Sequence, residues 1–210
     1  MTSAHASSRI EQRAPEVDGD ATRPQRADAR KNRERLLAVA DAIFAAQGVS
    51  ASTEDVAREA GVGIGTVFRH FPTKAALLEA VVVGRLRRFA DEAHALARDD
   101  SVDAGEAFFT LFARAADQSA AKNAVAAALA DTGVDVSTAT RPIMEEMRRS
   151  LELLLIRAQR SGAVRADVDV DDVVALLIGA ARAAEHTGRD RANLAHAVVI
   201  ICDGLRPPSR

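Results

Sequence analysis

The chain has 210 residues, enough for one or two domains with a buried core, and its hydrophobic share of 48% is dominated by alanine with neither tryptophan nor tyrosine. That balance excludes all-β and collagen-like chains and favours helices. A single cysteine, Cys202, excludes an internal disulfide and any multi-thiolate metal centre, and the net charge of −2 hides an asymmetry: residues 23–90 hold twelve Lys/Arg against seven Asp/Glu, residues 91–210 fourteen against nineteen.

The N-terminus MTSAHASSRIEQRAPEVDGD has no apolar run of the kind a signal peptide needs. No uninterrupted apolar stretch, Ala197–Cys202 included, is long enough to span a bilayer. A cytoplasmic chain is expected, with no membrane partner, metal or cofactor. Residues 1–27 lack periodicity and read as a mobile arm. From Asp28, Leu36, Leu37, Ala40, Ile43 and Phe44 recur at helical spacing up to Gly48, giving a first helix. Ser52 or Thr53 can cap a second, short helix that Gly61 closes, and a third runs from Thr66 to His70 before Phe71-Pro72. Thr73 caps a long fourth helix, Lys74 to about Ala97. Helical stretches near 104–118, 121–131, 142–161, 170–187 and 190–205 follow, so the fold class is all-α with about nine helices. Domain boundaries are expected at 28–73 for the helix-turn-helix domain and 74–210 for a C-terminal bundle.

The segment Thr53–Lys74 carries the information. Two short helices meet at a turn containing Gly61, Ala57 is small where they cross, and Val56, Val62 and Val67 fill the wedge between them. This is helix-turn-helix spacing, in which the second helix of the pair projects into the major groove. It falls inside the cationic third of the chain. Gly63, Ile64, Thr66 and Arg69 lie early or outward on that helix, with Arg69 the best candidate for guanine readout. Lys74 stands in the first turn of its helix, and Arg30, Lys31, Arg33 and Arg35 crowd the start of helix one, where the macrodipole disfavours cations. A phosphate partner accounts for both; hydration or ion pairing is the alternative. Gly61-Val-Gly63-Ile-Gly65 lacks dinucleotide-fingerprint spacing, and no nucleophile elbow, P-loop or His-Glu-x-x-His occurs.

Thr53, Ala57, Ala60, Gly61, Val62, Gly65, Thr66, His70, Phe71 and Lys74 closely resemble the N-terminal signature of the TetR family of bacterial transcription regulators, over residues 33 to about 90. Gly63 replaces the family's usual Ser and Phe68 its usual Tyr, removing a cap and a phenolic donor to the DNA backbone. The resemblance implies a homodimeric repressor that leaves a double-stranded, palindromic operator when a small-molecule effector binds. It places DNA contacts at Arg33, Thr53, Gly63, Ile64, Thr66, Val67, Phe68, Arg69, His70 and Lys74. The family also encloses an effector cavity between its fourth and eighth helices, for which His94, Phe108, Phe112, Met144, Met147 and Leu151 are candidates; plain core is the alternative. Arg114 is a candidate polar anchor. The eighth helix, capped by Asp169, carries apolar residues on two faces. Val173, Leu176, Leu177 and Ala180 form one stripe, and Val174, Ile178 and Ala181 another. A monomer buries one stripe, so Val174, Leu177, Ile178 and Ala181, with Val198 and Ile201 of the ninth helix, are expected at a dimer interface. An all-α enzyme or ligand carrier, and a DNA-bending structural protein, are the competing classes.

Overall fold

A computed structural model describes residues 22–130, 135–186 and 191–208, so the expected arm lies outside the described residues up to position 21. Among the described residues the chain forms eight α-helices and a single 3₁₀ turn, with no strand. The first helix, α1, spans Thr22–Gln47 and buries Leu36, Ala40, Ile43 and Phe44 along one stripe. It begins six residues before the expected Asp28. Pro24 is compatible with that start, because the first turn has no internal partner for its N–H groups anyway. Arg30, Lys31, Arg33 and Arg35 therefore lie beyond the first turn, and the macrodipole no longer sets them in an unfavourable place.

Helices α2 (Thr53–Glu59) and α3 (Ile64–His70) follow, then α4 (Lys74–Arg98), α5 (Ala104–Ala130), α6 (Ser137–Arg160), α7 (Val170–His186) and α8 (Arg191–Leu205). The nine expected helices become eight because α5 runs unbroken where two were expected. Gln118, Ser119 and Ala120 include neither Gly nor Pro, and the alanines on either side favour continuation. Helix α6 likewise starts at Ser137 rather than 142 and accommodates Pro142 inside its second turn. It ends in a Schellman motif: Gly162, at φ +76, donates to the Gln159 carbonyl while Ala163 donates to Ala158.

Two large apolar clusters organise the helices. The N-terminal cluster joins Leu36, Ala40 and Phe44 of α1 to Val56 and Ala57 of α2, Val67 of α3, and Leu77, Leu78 and Val81 of α4. The C-terminal cluster packs the far half of α4 against α5 to α8. Between them Val82, Leu86 and Ala90 of α4 meet Ile143 of α6. Helix α4, roughly 37 Å long, is thus a shared wall of both clusters. It is fastened at its middle and at its C-terminal end. Asp41 of α1 accepts hydrogen bonds from Arg85 and Arg88, and Arg157 of α6 donates to the Leu96, Ala97 and Asp99 carbonyls that terminate α4.

Gly105, in the first turn of α5, is held by a close approach rather than by backbone conformation. A Cβ there would sit 2.5 Å from Ala163 Cβ. Helix propensity alone favours alanine over glycine by ~1 kcal/mol, yet overpacking costs ~1–3 kcal/mol. Gly105→Ala should therefore lower the thermal midpoint by several degrees, measured by calorimetry; an unchanged or raised midpoint means that the loop gives way easily.

Candidate nucleic-acid interface

The sequence dictates a sharp turn between α2 and α3. Ser52 caps α2 through a capping box: its hydroxyl accepts from the Asp55 N–H at 3.0 Å, and the Asp55 carboxylate accepts from the Ser52 N–H at 3.2 Å. Hydrogen bonds from the Ser52 hydroxyl and backbone, then from Arg58, hold the Asp55 carboxyl below the usual range. At the other end Gly61 takes φ +64, and the Gly61 and Val62 N–H groups donate to the Arg58 and Ala57 carbonyls, a second Schellman motif. Arg35 reaches across from α1 to donate to the Ala60 carbonyl. Its guanidinium therefore braces the α2 terminus.

Helix α3 is sorted by burial. Val67 is fully buried among α1, α2 and α4 side chains, which corrects its place among the DNA contacts: it positions α3 and touches nothing outside. Thr53 is corrected too, since only 6% of it is exposed and its hydroxyl donates to the Glu54 carboxylate. Ile64, Phe68 and Arg69 face solvent, as do Gly63 and Gly65, while Thr66 and His70 are half-buried. Gly63 is the N-cap of α3 and supplies no side-chain bond there. Thr66, Arg69 and His70 line an open groove against Asp28, Lys31, Asn32 and Arg35 of α1. Arg33 lies exposed with its guanidinium 5.0 Å above the Phe71 ring, which holds it beside the reading helix. Thr73 caps α4 by accepting from the Ala76 N–H at 3.0 Å, leaving half-buried Lys74 at its first helical position. Among the described residues, neither Arg69 nor Lys74 has an ion-pair partner.

A second feature lies in the C-terminal cluster. A cavity of about 200 Å³ opens between Ala93 of α4, Leu111 and Ala115 of α5, Met144, Met147 and Leu151 of α6, and Val174, Leu177 and Ile178 of α7. Three of the expected lining residues are there. The others are corrected: Phe108 and Phe112 are fully buried core, packed on each other at 6.4 Å, and His94 is exposed on α4 away from the cavity. Arg114 is occupied by Glu92 and the Phe89 ring. The polar lining comes instead from Glu145, Ser119 and Arg148, whose guanidinium bonds Asp171 at 2.6 Å. Arg148 shares one helical stripe with Met144 and Leu151, a signal present in the sequence but read there only for its apolar members.

The expected dimer residues divide in the same way. Leu177, Ala181 and Val198 are buried within the protomer and are corrected as interface residues, while Val174, beside the cavity, and Ile201, packed on the core, keep part of their surface exposed. Ile178 stays exposed, and it is joined by Leu176, Val199 and Ile200, which the helical period had not placed outside. The physical reason is that α7 meets α5, α6 and α8, so its inward arc is wider than one stripe.

Comparison with known proteins agrees with this geometry. Residues 36–81 match the family model for bacterial regulatory proteins of the tetR family, and residues 103–207 match the C-terminal domain of SbtR-like transcriptional regulators. A TetR transcription regulatory protein from Mycobacterium vanbaalenii is 41% identical at a TM-score of 0.66, the match covering 88% of this chain and all of that one. A TetR regulator from Streptomyces coelicolor is 31% identical, also at 0.66, over 84% and 99%. The HTH-type transcriptional regulator SrpR of Pseudomonas putida is 45% identical, but over 60 residues that span only 28% of either chain.

Proposed function

The chain belongs to the TetR family of bacterial regulatory proteins, and from that premise we propose that it is a cytoplasmic homodimeric repressor that releases a palindromic operator when a small molecule enters the cavity between α4, α5, α6 and α7. The reading head is α1 to α3 with the start of α4, and the remainder senses and dimerises. The observation that carries this reading is the projection of α3: Val67 anchors it from beneath while Ile64, Phe68 and Arg69 stand free beside a cationic groove. Arg69 reads a base edge, and Lys74 and Arg33 grip phosphate, with Gly63, Thr66 and His70 at the rim of the contact. No catalytic step is involved. The effector is an apolar molecule small enough for a cavity of about 200 Å³.

Selection from random duplexes tests this reading, since a repressor of this kind returns one palindrome. A DNA-bending protein returns no preference, and an enzyme or ligand carrier no bound fraction. On the selected operator, Arg69→Ala should cost ~1–3 kcal/mol and relax preference at one position. Lys74→Ala should weaken all sequences alike and reduce the slope of log affinity against log salt by about one. A Lys74→Ala variant with an unchanged slope removes that residue from the phosphate grip.

A further inference from the structure

Ile64 and Phe68 are the unexplained pair on α3. Each is a large apolar side chain, 36% and 43% exposed, on a helix whose core contact is already made by Val67 and by Phe71 just beyond its end. Their spacing of four residues puts them one above the other, about 6 Å apart along the axis. Gly63 and Gly65 lie beside them, and a Cβ at either would meet nothing within 4 Å, so the outer backbone of this turn is bare. Arg69 follows Phe68 on the same helix and lines a groove with Lys31 and Arg35 of α1, so α3 presents a cationic flank that suits a polyanion and not an apolar protein face or a lipid tail. Neither side chain has a polar atom with which to meet a phosphate or the hydrogen-bonding groups of a base.

We propose that Ile64 and Phe68 read the 5-methyl groups of thymines, so that each operator half-site presents thymine at two positions roughly two base-pair steps apart. The inference rests on the operator-binding reading above and adds to it the chemistry of the contact. The methyl group is the apolar feature that base edges offer in the major groove, and it distinguishes T·A from the other pairs without a hydrogen bond. The bare glycine turn lets the helix axis come close enough for side chains of this length to touch it. Arg69 then supplies the polar anchor and the methyl pair supplies the shape, which divides readout between two kinds of contact on one helix.

The operator recovered by selection is resynthesised with deoxyuridine in place of each half-site thymidine in turn, which removes the methyl and leaves base pairing and every hydrogen-bonding group in place. Affinity should fall about four-fold per substitution at two positions and remain unchanged elsewhere. In Ile64→Ala the penalty should vanish at one of those positions, and in Phe68→Ala at the other. Both side chains are exposed, so neither change disturbs the core. Uniform indifference to uracil in the wild-type chain, or penalties that persist in both alanine variants, overturns the inference while the operator reading stands. A selection that yields no preferred sequence overturns that reading and this inference together.

Discussion

An Ile200→Asp variant should sediment as a monomer at micromolar concentration, where the wild-type chain sediments as a dimer. Ile200 and Val199 on α8 are 59% and 54% exposed, and Ile178 on α7 is 56% exposed, in two helices that pack against each other. Single exposed apolar residues need no explanation, but four large ones on two adjoining helices leave more apolar surface in water than a lone monomer accounts for. In the homodimer proposed above, a two-fold axis through α7 and α8 would cover these side chains with their own copy, and exposed Gly179 would let the helices approach closely. Each aspartate at position 200 then sits unpaired in an apolar interface, at a cost of ~3 kcal/mol or more, which weakens association at least a hundred-fold. Ile178 would be the poorer probe because it also lines the cavity. Operator affinity should fall with the dimer, since a monomer presents one reading head and loses the effective concentration of the second. A variant that remains dimeric and folded would mean that the α7–α8 patch docks something other than itself.

The sequence made the head legible because its signals are local. Gly61 needs a left-handed conformation, Val56 and Val67 need a core, and Thr73 caps a helix, and each demand is met within a few residues of where it arises. What the sequence hid was decided by neighbours distant in the chain. Helical period alone divides α7 into stripes but does not reveal how many helices surround it, so Leu177 and Ala181 were expected outside and are buried. Composition marked Phe108 and Phe112 as pocket-like, yet ring packing closes the space beside them, and the cavity opens where alanines and methionines leave it. Arg35 was one of several free-looking cations until the turn of α2 brought the Ala60 carbonyl to it.

Filling the cavity should loosen the grip on DNA without any effector being known. Ala115, on α5, is 5% exposed and faces the cavity, and a space of about 200 Å³ accepts an added ring, given that voids of roughly 150 Å³ admit benzene. The walls that must yield are on α4 and α6. Ala93 lines the cavity directly, and Met144 and Met147, which line it from α6, pack with Ile143 against Val82, Leu86 and Ala90. Helix α4 continues from there into the N-terminal cluster through Leu77, Leu78 and Val81, and it begins at Lys74 beside the reading helix. Val136, just before α6, is buried in that same N-terminal cluster, so α6 reaches the head by a second route. A shift of α4 tilts α1 as well, because Asp41 is tied to Arg85 and Arg88. Two heads enter successive major grooves only at a separation near 34 Å, and a tilt that changes this spacing costs binding energy. Ala115→Phe should therefore fold, dimerise and bind the operator about ten-fold or more weaker, a coupling of ~1.4 kcal/mol at the low end of the usual allosteric range. Ala115→Ser, which leaves the cavity open, should bind as the wild type does. If the phenylalanine variant is a folded dimer with undiminished affinity, the cavity does not communicate with the heads through α4 and α6, and the effector, if it binds there, acts by another route.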